Sequence, residues 1–298
     1  MKYAGELCAL GTAVSWSLGS NFFAAAGRQM GSITLNRLRI LMAGVLLGAT
    51  LFVLHGSPWP CWATRPQVTL LAISGLIGFA FGDLYFFRSL VILGPGRASL
   101  IASIAPLFTA AIAWPVLHEV PGSFALLGMA LTLGGVAWVL VGRQQVTHEH
   151  VEGSVAVGIA AGVLAALAQA AGYVVSKIAL KSGIDALSAT MIRVSAAALA
   201  MWAWAILRGQ ALPTLRALAD RRSALFMTAG AVFGPFLGVT LSLAALHYIQ
   251  AGVASSITAF YPVLTILISS RVHGERLTWR TLIGALVAVT GVVVLFLR

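Results

Sequence analysis

Gly94-Pro-Gly-Arg-Ala-Ser-Leu-Ile-Ala-Ser-Ile-Ala-Pro106-Leu-Phe-Thr109 has a counterpart 156 positions further along, Gln250-Ala-Gly-Val-Ala-Ser-Ser-Ile-Thr-Ala-Phe-Tyr-Pro262-Val-Leu-Thr265. In that register Gly96 falls on Gly252, Ala98 on Ala254, Ser99 on Ser255, Ile101 on Ile257, Pro106 on Pro262 and Thr109 on Thr265. It continues without a gap to Glu119 on Glu275, Gly128 on Gly284 and Gly135 on Gly291. Backwards it sets Gly78 and Gly82 on Gly234 and Gly238. A shift of 154 places Arg39 on Arg193. Chance matches are common in an Ala/Gly/Leu-rich chain, but paired Pro and Glu beside apolar runs are not. The chain therefore reads as an internal repeat: residues 1–146, a joint at 147–152, and residues 153–298.

Around this repeat the composition is that of a membrane protein. Of 298 residues 59% are apolar and 9% charged, against roughly 25% charged in a soluble domain. Too few polar side chains exist to cover a water-facing surface. Ten apolar runs of about the length that crosses a bilayer follow one another. They lie at 4–25, 33–54, 68–90, 97–117, 123–142, 154–178, 186–207, 223–245, 250–271 and 279–297. Turn clusters such as His55-Gly56-Ser57-Pro58 and Gly94-Pro95-Gly96 punctuate them. The first run is longer than the apolar core of a secretory signal and contains Glu6, so it reads as a retained helix. The expectation is an all-α membrane protein of ten transmembrane helices.

Five helices per half is an odd number, so equivalent helices must cross in opposite directions. That makes an inverted repeat, the architecture of many secondary transporters. Two halves able to exchange conformations produce inward-open and outward-open states from one structure.

The residues at the ends of the halves add a resemblance. Gly252-Val-Ala-Ser-Ser-Ile, Tyr261-Pro262, Gly274-Glu275-Arg276-Leu277-Thr278, Gly284 and Gly291 resemble the EamA-type members of the drug/metabolite transporter superfamily, the group that includes YddG-like amino-acid exporters. The first half carries the pattern more loosely, with Val120-Pro121 where the second has Arg276-Leu277. The resemblance implies a proton- or exchange-coupled carrier with its cavity between the halves. It also implies a pore lined mainly by helices one, three, four, six, eight and nine. Small multidrug-resistance members couple through a Glu in helix one; that position falls on Trp16 here, which argues against a cationic-drug/proton antiporter.

Ionisable groups within a span are expensive in lipid, so each marks a candidate site. Asp83, in Gly78-Phe-Ala-Phe-Gly82-Asp83, either pairs with Arg39 or Arg88 and locks two helices, or carries a proton or meets a substrate ammonium. Lys177 either snorkels to the interface or meets a substrate carboxylate, and Tyr173 one turn before it either packs or hydrogen-bonds a ligand. Pro106 and Pro262 each remove a backbone donor in mid-helix and free a carbonyl of the preceding turn. At equivalent places in both halves, such breaks point to a midplane site. Tyr261, Ser99, Ser103 and Ser255 would supply hydrogen bonds near those prolines, with Trp16 and Asn21 facing the same cavity. Trp16 also offers an aromatic wall for a ring or a quaternary amine.

Other features have plainer readings. The glycine ladders Gly78–Gly82 and Gly230–Gly234–Gly238 allow close helix packing. Glu119 and Glu275 read as caps at the interface, and His148-Glu149-His150 as a solvated joint. Two cysteines, Cys8 and Cys61, imply neither disulfide framework nor metal spacing, and no cofactor is expected.

No Gly-x-Ser-x-Gly elbow, His-Glu-x-x-His helix or Walker loop is present, which disfavours an enzyme and leaves ion gradients or exchange as the energy source. The net charge of +11 comes from scattered basic residues, not from the clustered patch a nucleic acid would need.

The expected function is export of small polar metabolites such as amino acids, with the lipid bilayer and protons as partners. The alternatives are carriage of quaternary amines or cationic drugs, and a non-transport membrane enzyme or lipid-handling scaffold. Ten helices suffice to enclose a cavity in a monomer. A bacterial inner membrane is the expected location. With deep residues omitted, the face carrying the termini has four basic residues, Lys2, Arg65, Lys181 and Arg298, and the opposite face eleven. The positive-inside rule then puts both termini outside the cytoplasm, whereas the resemblance implies the reverse.

Overall fold

A computed structural model describes residues 3–144, 154–273 and 278–297. The joint at 147–152, His148-Glu149-His150 and Glu275 lie outside the described residues. What is described is helical throughout, connected by short turns. Helices α1 (Ala4–Met30), α2 (Ser32–His55), α3 (Arg65–Leu93), α4 (Pro95–Ala102 and Ala105–Leu117) and α5 (Ser123–Gln144) form the first half. The second comprises α6 (Val155–Leu180), α7 (Ala186–Leu207), α8 (Arg221–Tyr248), α9 (Ala251–Thr258 and Tyr261–His273) and α10 (Trp279–Leu297). A short helix, Ala211–Arg216, lies in the α7–α8 connection.

Nine spans among the described residues are long and apolar enough to cross a membrane. The tenth helix, α1, is 27 residues long but carries Glu6, Thr12, Ser15 and Ser17, all buried against its neighbours. Its polarity is tolerable because protein, not lipid, surrounds those groups. Asp185 caps α7 by accepting from the Ser188 N–H, and Asp220 caps α8 by accepting from the N–H groups of Arg222 and Ser223. Hydrogen bonds from Ser223 hold the Asp220 carboxyl below the usual carboxylate range.

The two halves are locked by α5 against α10. A methyl group built on Gly135 would lie 2.4 Å from the Ala288 nitrogen, and one on Gly291 would lie 2.3 Å from the Thr132 nitrogen. Backbones this close are possible only between small residues, which let dispersion and weak polar contacts replace a hydrophobic driving force that lipid does not supply. The glycines matched by the repeat pack crosswise: Gly128 on Gly291, and Gly135 on Gly284. That is what a two-fold axis lying between inverted halves requires.

The same symmetry governs the irregular segments. A π-helical turn interrupts α3 at Leu76–Phe81 and α8 at Val232–Gly238. Breaks fall at Ser103–Ile104 in α4 and at Ala259–Phe260 in α9. All four obey the 156-residue shift. The prolines have a different place from the one expected. Pro106 is the second residue of Ala105–Leu117 and Pro262 the second of Tyr261–His273. In a first helical turn the missing N–H has no intrahelical acceptor to lose, so proline starts the new segment without kinking a continuous one. The break itself lies in the residues before it.

Candidate functional site

Two buried arginines, one per half, sit at equivalent positions beside the π turns. Arg39 lies on α2 and Arg193 on α7, each seven residues from its helix start, a depth of about 10 Å. Because the helices run in opposite directions, the two approach the membrane interior from opposite faces.

Arg39 is paired and hydrogen-bonded. Its Nη2 donates to Asp83 Oδ2 at 2.7 Å and its Nε to Asn36 Oδ1 at 2.7 Å. Its guanidinium faces the rings of Trp16 at 5.9 Å and Phe23 at 5.3 Å. Asp83 and Arg39 are 6% and 8% exposed, so each removes the uncompensated charge the other would otherwise bury. Of the two readings of Asp83, the structure displays the pairing, with Arg39 rather than Arg88.

Crossing helices hold these seats. On α1, Gly19 meets the backbone of Gly234 in the α8 π turn, where a methyl would approach the Gly234 nitrogen to 3.1 Å. On α6, Gly172 meets Gly78 in the α3 π turn at 3.2 Å by the same measure. Trp16 rests on Gly234 and Gly238, the role the ladder was expected to play. Ser74 of α3 bridges to α6, its hydroxyl 2.6 Å from both the Gly172 carbonyl and the Ser176 hydroxyl.

Lys177 is 7% exposed and does not snorkel. Its Nζ lies 2.5 Å from Glu119 Oε1 and donates to the Ile249 carbonyl at 2.5 Å. Glu119 Oε2 accepts from the Ala251 N–H at 2.7 Å, capping the first segment of α9. Glu119 is thus a cap, as expected, but for a helix 132 residues away. The pair ties α4, α6 and the α8–α9 joint together on the face that carries the termini. It borders a cleft of about 310 Å³ lined also by Lys181, His247 and Gln250.

The remaining candidates scatter. Tyr173 donates its hydroxyl to the Ser242 carbonyl at 3.0 Å, joining α6 to α8. Asn21 donates to the Ser17 carbonyl of its own helix, and Ser103 to the Leu100 carbonyl at the α4 break. Ser255 and Thr109 approach at 3.4 Å between α9 and α4. Tyr261 opens the second segment of α9 and is partly buried. The structure therefore joins Trp16 with Asp83 through Arg39 and keeps Lys177 in a separate cluster. The sequence matched Arg193 to Arg39 by the 154-residue shift without marking it as a site.

This is the class of membrane protein built from two inverted five-helix halves with discontinuous helices and buried charge at their junction. The EamA-like transporter family model matches residues 3–141 and again 156–297, and the chain belongs to that family. It is 31% identical over 138 residues to the uncharacterized transporter YvbV of Bacillus subtilis (strain 168), covering 45% of this chain and 44% of that protein. It is 27% identical over 132 residues to the uncharacterized transporter YoaV of the same organism, covering 44% and 45% respectively. The matched stretch is thus under half the length of either relative. A crystal structure superposes with a TM-score of 0.74 over 99% of this chain and 96% of the other at 16% identity, a likeness of fold.

Proposed function

We propose that the protein is a secondary active transporter that exports small polar metabolites such as amino acids across a bacterial inner membrane by alternating access. The observation that carries this reading is the set of four helix discontinuities, paired by symmetry, in α3, α4, α8 and α9. Each offers a flexible point in a span at little cost, and together they let one half mirror the conformation of the other. The Glu119–Lys177 pair acts as the latch on the terminal face, and Arg39–Asp83 as the charged element of the opposite side. Asp83 is the group through which protons would couple, by leaving Arg39 when protonated.

A quaternary-amine substrate is the weaker reading. Its aromatic wall would be Trp16, whose ring already faces the Arg39 guanidinium. The charge count makes the terminal face non-cytoplasmic. Family membership favours transport over a membrane enzyme or lipid-handling scaffold.

Counterflow in proteoliposomes tests the proposal. Vesicles preloaded with unlabelled amino acids should transiently accumulate an external labelled amino acid, and empty vesicles should not. Absence of accumulation for amino acids and for amines alike, with folded protein verified by a cooperative thermal transition, would overturn it.

A further inference from the structure

Arg193 has the seat of Arg39 but not its partners. The 156-residue shift that relates α3 to α8 carries Asp83 onto Val239, which is 4% exposed at the end of the second π turn. The acid that neutralises Arg39 is therefore replaced by an isopropyl group. Arg193 is 3% exposed, its Nε is buried without a hydrogen-bond partner, and no carboxylate among the described residues lies within ion-pair distance of it. The Phe79 ring lies 5.0 Å from its guanidinium, and Tyr173 lies within electrostatic reach.

The surroundings are shaped for this side chain. A methyl group on Gly75 would fall 2.2 Å from the Arg193 carbonyl oxygen, so α3 and α7 touch backbone to backbone here. A methyl on Gly78 would lie 3.3 Å from Arg193 Nη2 and 3.6 Å from Gln169 Oε1. The guanidinium and the Gln169 amide thus converge over the bare surface of the α3 π turn. Gln169 is exposed although it lies midway along α6. An amide open to hydrocarbon at that depth would be costly, so the space it borders suits water or a polar solute. In the other half the crossing helix presents Trp16 near the arginine, and that site is closed by its own acid.

A lone buried guanidinium is costly unless an anion completes it. We infer that Arg193 is the anchor for the carboxylate of the transported solute, which takes the place that Asp83 fills against Arg39. The planar fork of the guanidinium donates two parallel hydrogen bonds to a carboxylate, with Gln169 beside it to donate a further one. The inference rests on the transport reading and narrows its substrate class to compounds bearing a carboxylate.

The test compares amino acids with the amines that lack only the carboxylate: phenylalanine against phenethylamine, and leucine against isopentylamine, in counterflow with the full-length protein. Wild type should exchange the acids and not the amines. Arg193→Gln should lower acid exchange by roughly 10- to 100-fold, the loss of a charge-assisted pair. Val239→Asp supplies the missing acid internally, and should do the same while raising the thermal midpoint, which separates occupancy of the site from misfolding. Thermal stabilisation of the detergent-solubilised protein by phenylalanine should vanish in both variants. Equal exchange of amines and acids by wild type, or undiminished acid exchange by folded Val239→Asp, would overturn the carboxylate anchor and leave transport standing. No exchange of any compound by folded wild type would overturn the transport reading itself.

Discussion

Arg39 of α2 and Asp83 of α3 form a buried ion pair of 2.7 Å, and the two spans are joined by a loop at the terminal face, far from the pair. The contact closes the first half internally. Its counterpart in the second half, Arg193 with Val239, does not close, so two halves of one fold differ in charge compensation at the same place.

Removing one partner of the first pair should expose its cost. Asp83→Asn leaves Arg39 buried beside an amide and should lower stability by about 3 kcal/mol or more. The double change Arg39→Met with Asp83→Leu should recover most of that loss, because two apolar groups need no compensation. Thermal midpoints of Arg39→Met, Asp83→Leu and the double variant in detergent provide the cycle. Simple additivity of the two single changes would contradict the pairing.

The Glu119 latch makes a second prediction. Glu119→Ala removes the acceptor for the Ala251 N–H and one of the partners of Lys177, and should cost about 2 kcal/mol. Loosening the α4–α6–α9 contact should also speed alkylation of half-buried Cys8 on α1, a helix that meets that joint where Gly5 packs on Ile249. The ratio of Cys8 to Cys61 labelling reads this directly, since exposed Cys61 serves as the reference.

Adjacent glycines of α5 give a matched pair. Gly135→Ala places a methyl 2.4 Å from the Ala288 nitrogen and 2.6 Å from the Gly284 oxygen, so α5 and α10 must separate, at a cost of about 2 kcal/mol or more. Gly134 has nothing within 4 Å of the same construction, and Gly134→Ala should be neutral or gain up to about 1 kcal/mol. Thermal unfolding should show a lowered midpoint for Gly135→Ala and an unchanged or raised one for Gly134→Ala.

Orientation is testable at Cys61. It is exposed in the α2–α3 loop on the face of the termini. A membrane-impermeant maleimide should label it in spheroplasts without lysis if that face is outside the cytoplasm. Labelling only after lysis would reverse the charge-based assignment and agree with the orientation implied by the family resemblance.

Much of the fold was legible in the chain because lipid imposes one-dimensional rules. Every backbone group must be satisfied within its own helix, so apolar run length marks each span. The repeat of Gly96, Pro106 and Glu119 in Gly252, Pro262 and Glu275 marked two halves, and their odd helix count required inversion. A shift of 154 set Arg39 on Arg193, and the shift of 156 sets Asp83 on Val239. Which side chains meet was not legible, because contacts across helices depend on rotation and crossing as well as on order. Lys177 read as a snorkelling or substrate-facing group, yet it meets Glu119 and the Ile249 carbonyl just beyond the ends of two other helices. Pro106 and Pro262 read as kinks in continuous helices, yet both begin new segments, since a proline's place within a turn depends on where the preceding residues leave the helix. The π turn of α3 carries no one-residue signature, whereas that of α8 contains Pro235, and only the structure shows Gly172 and Gly19 packed onto them. Sequence alone determined the number of spans, their inversion and the pairing of positions between halves. The tertiary structure decided which buried charges compensate one another, because compensation is a matter of ångströms between elements that the chain order leaves far apart.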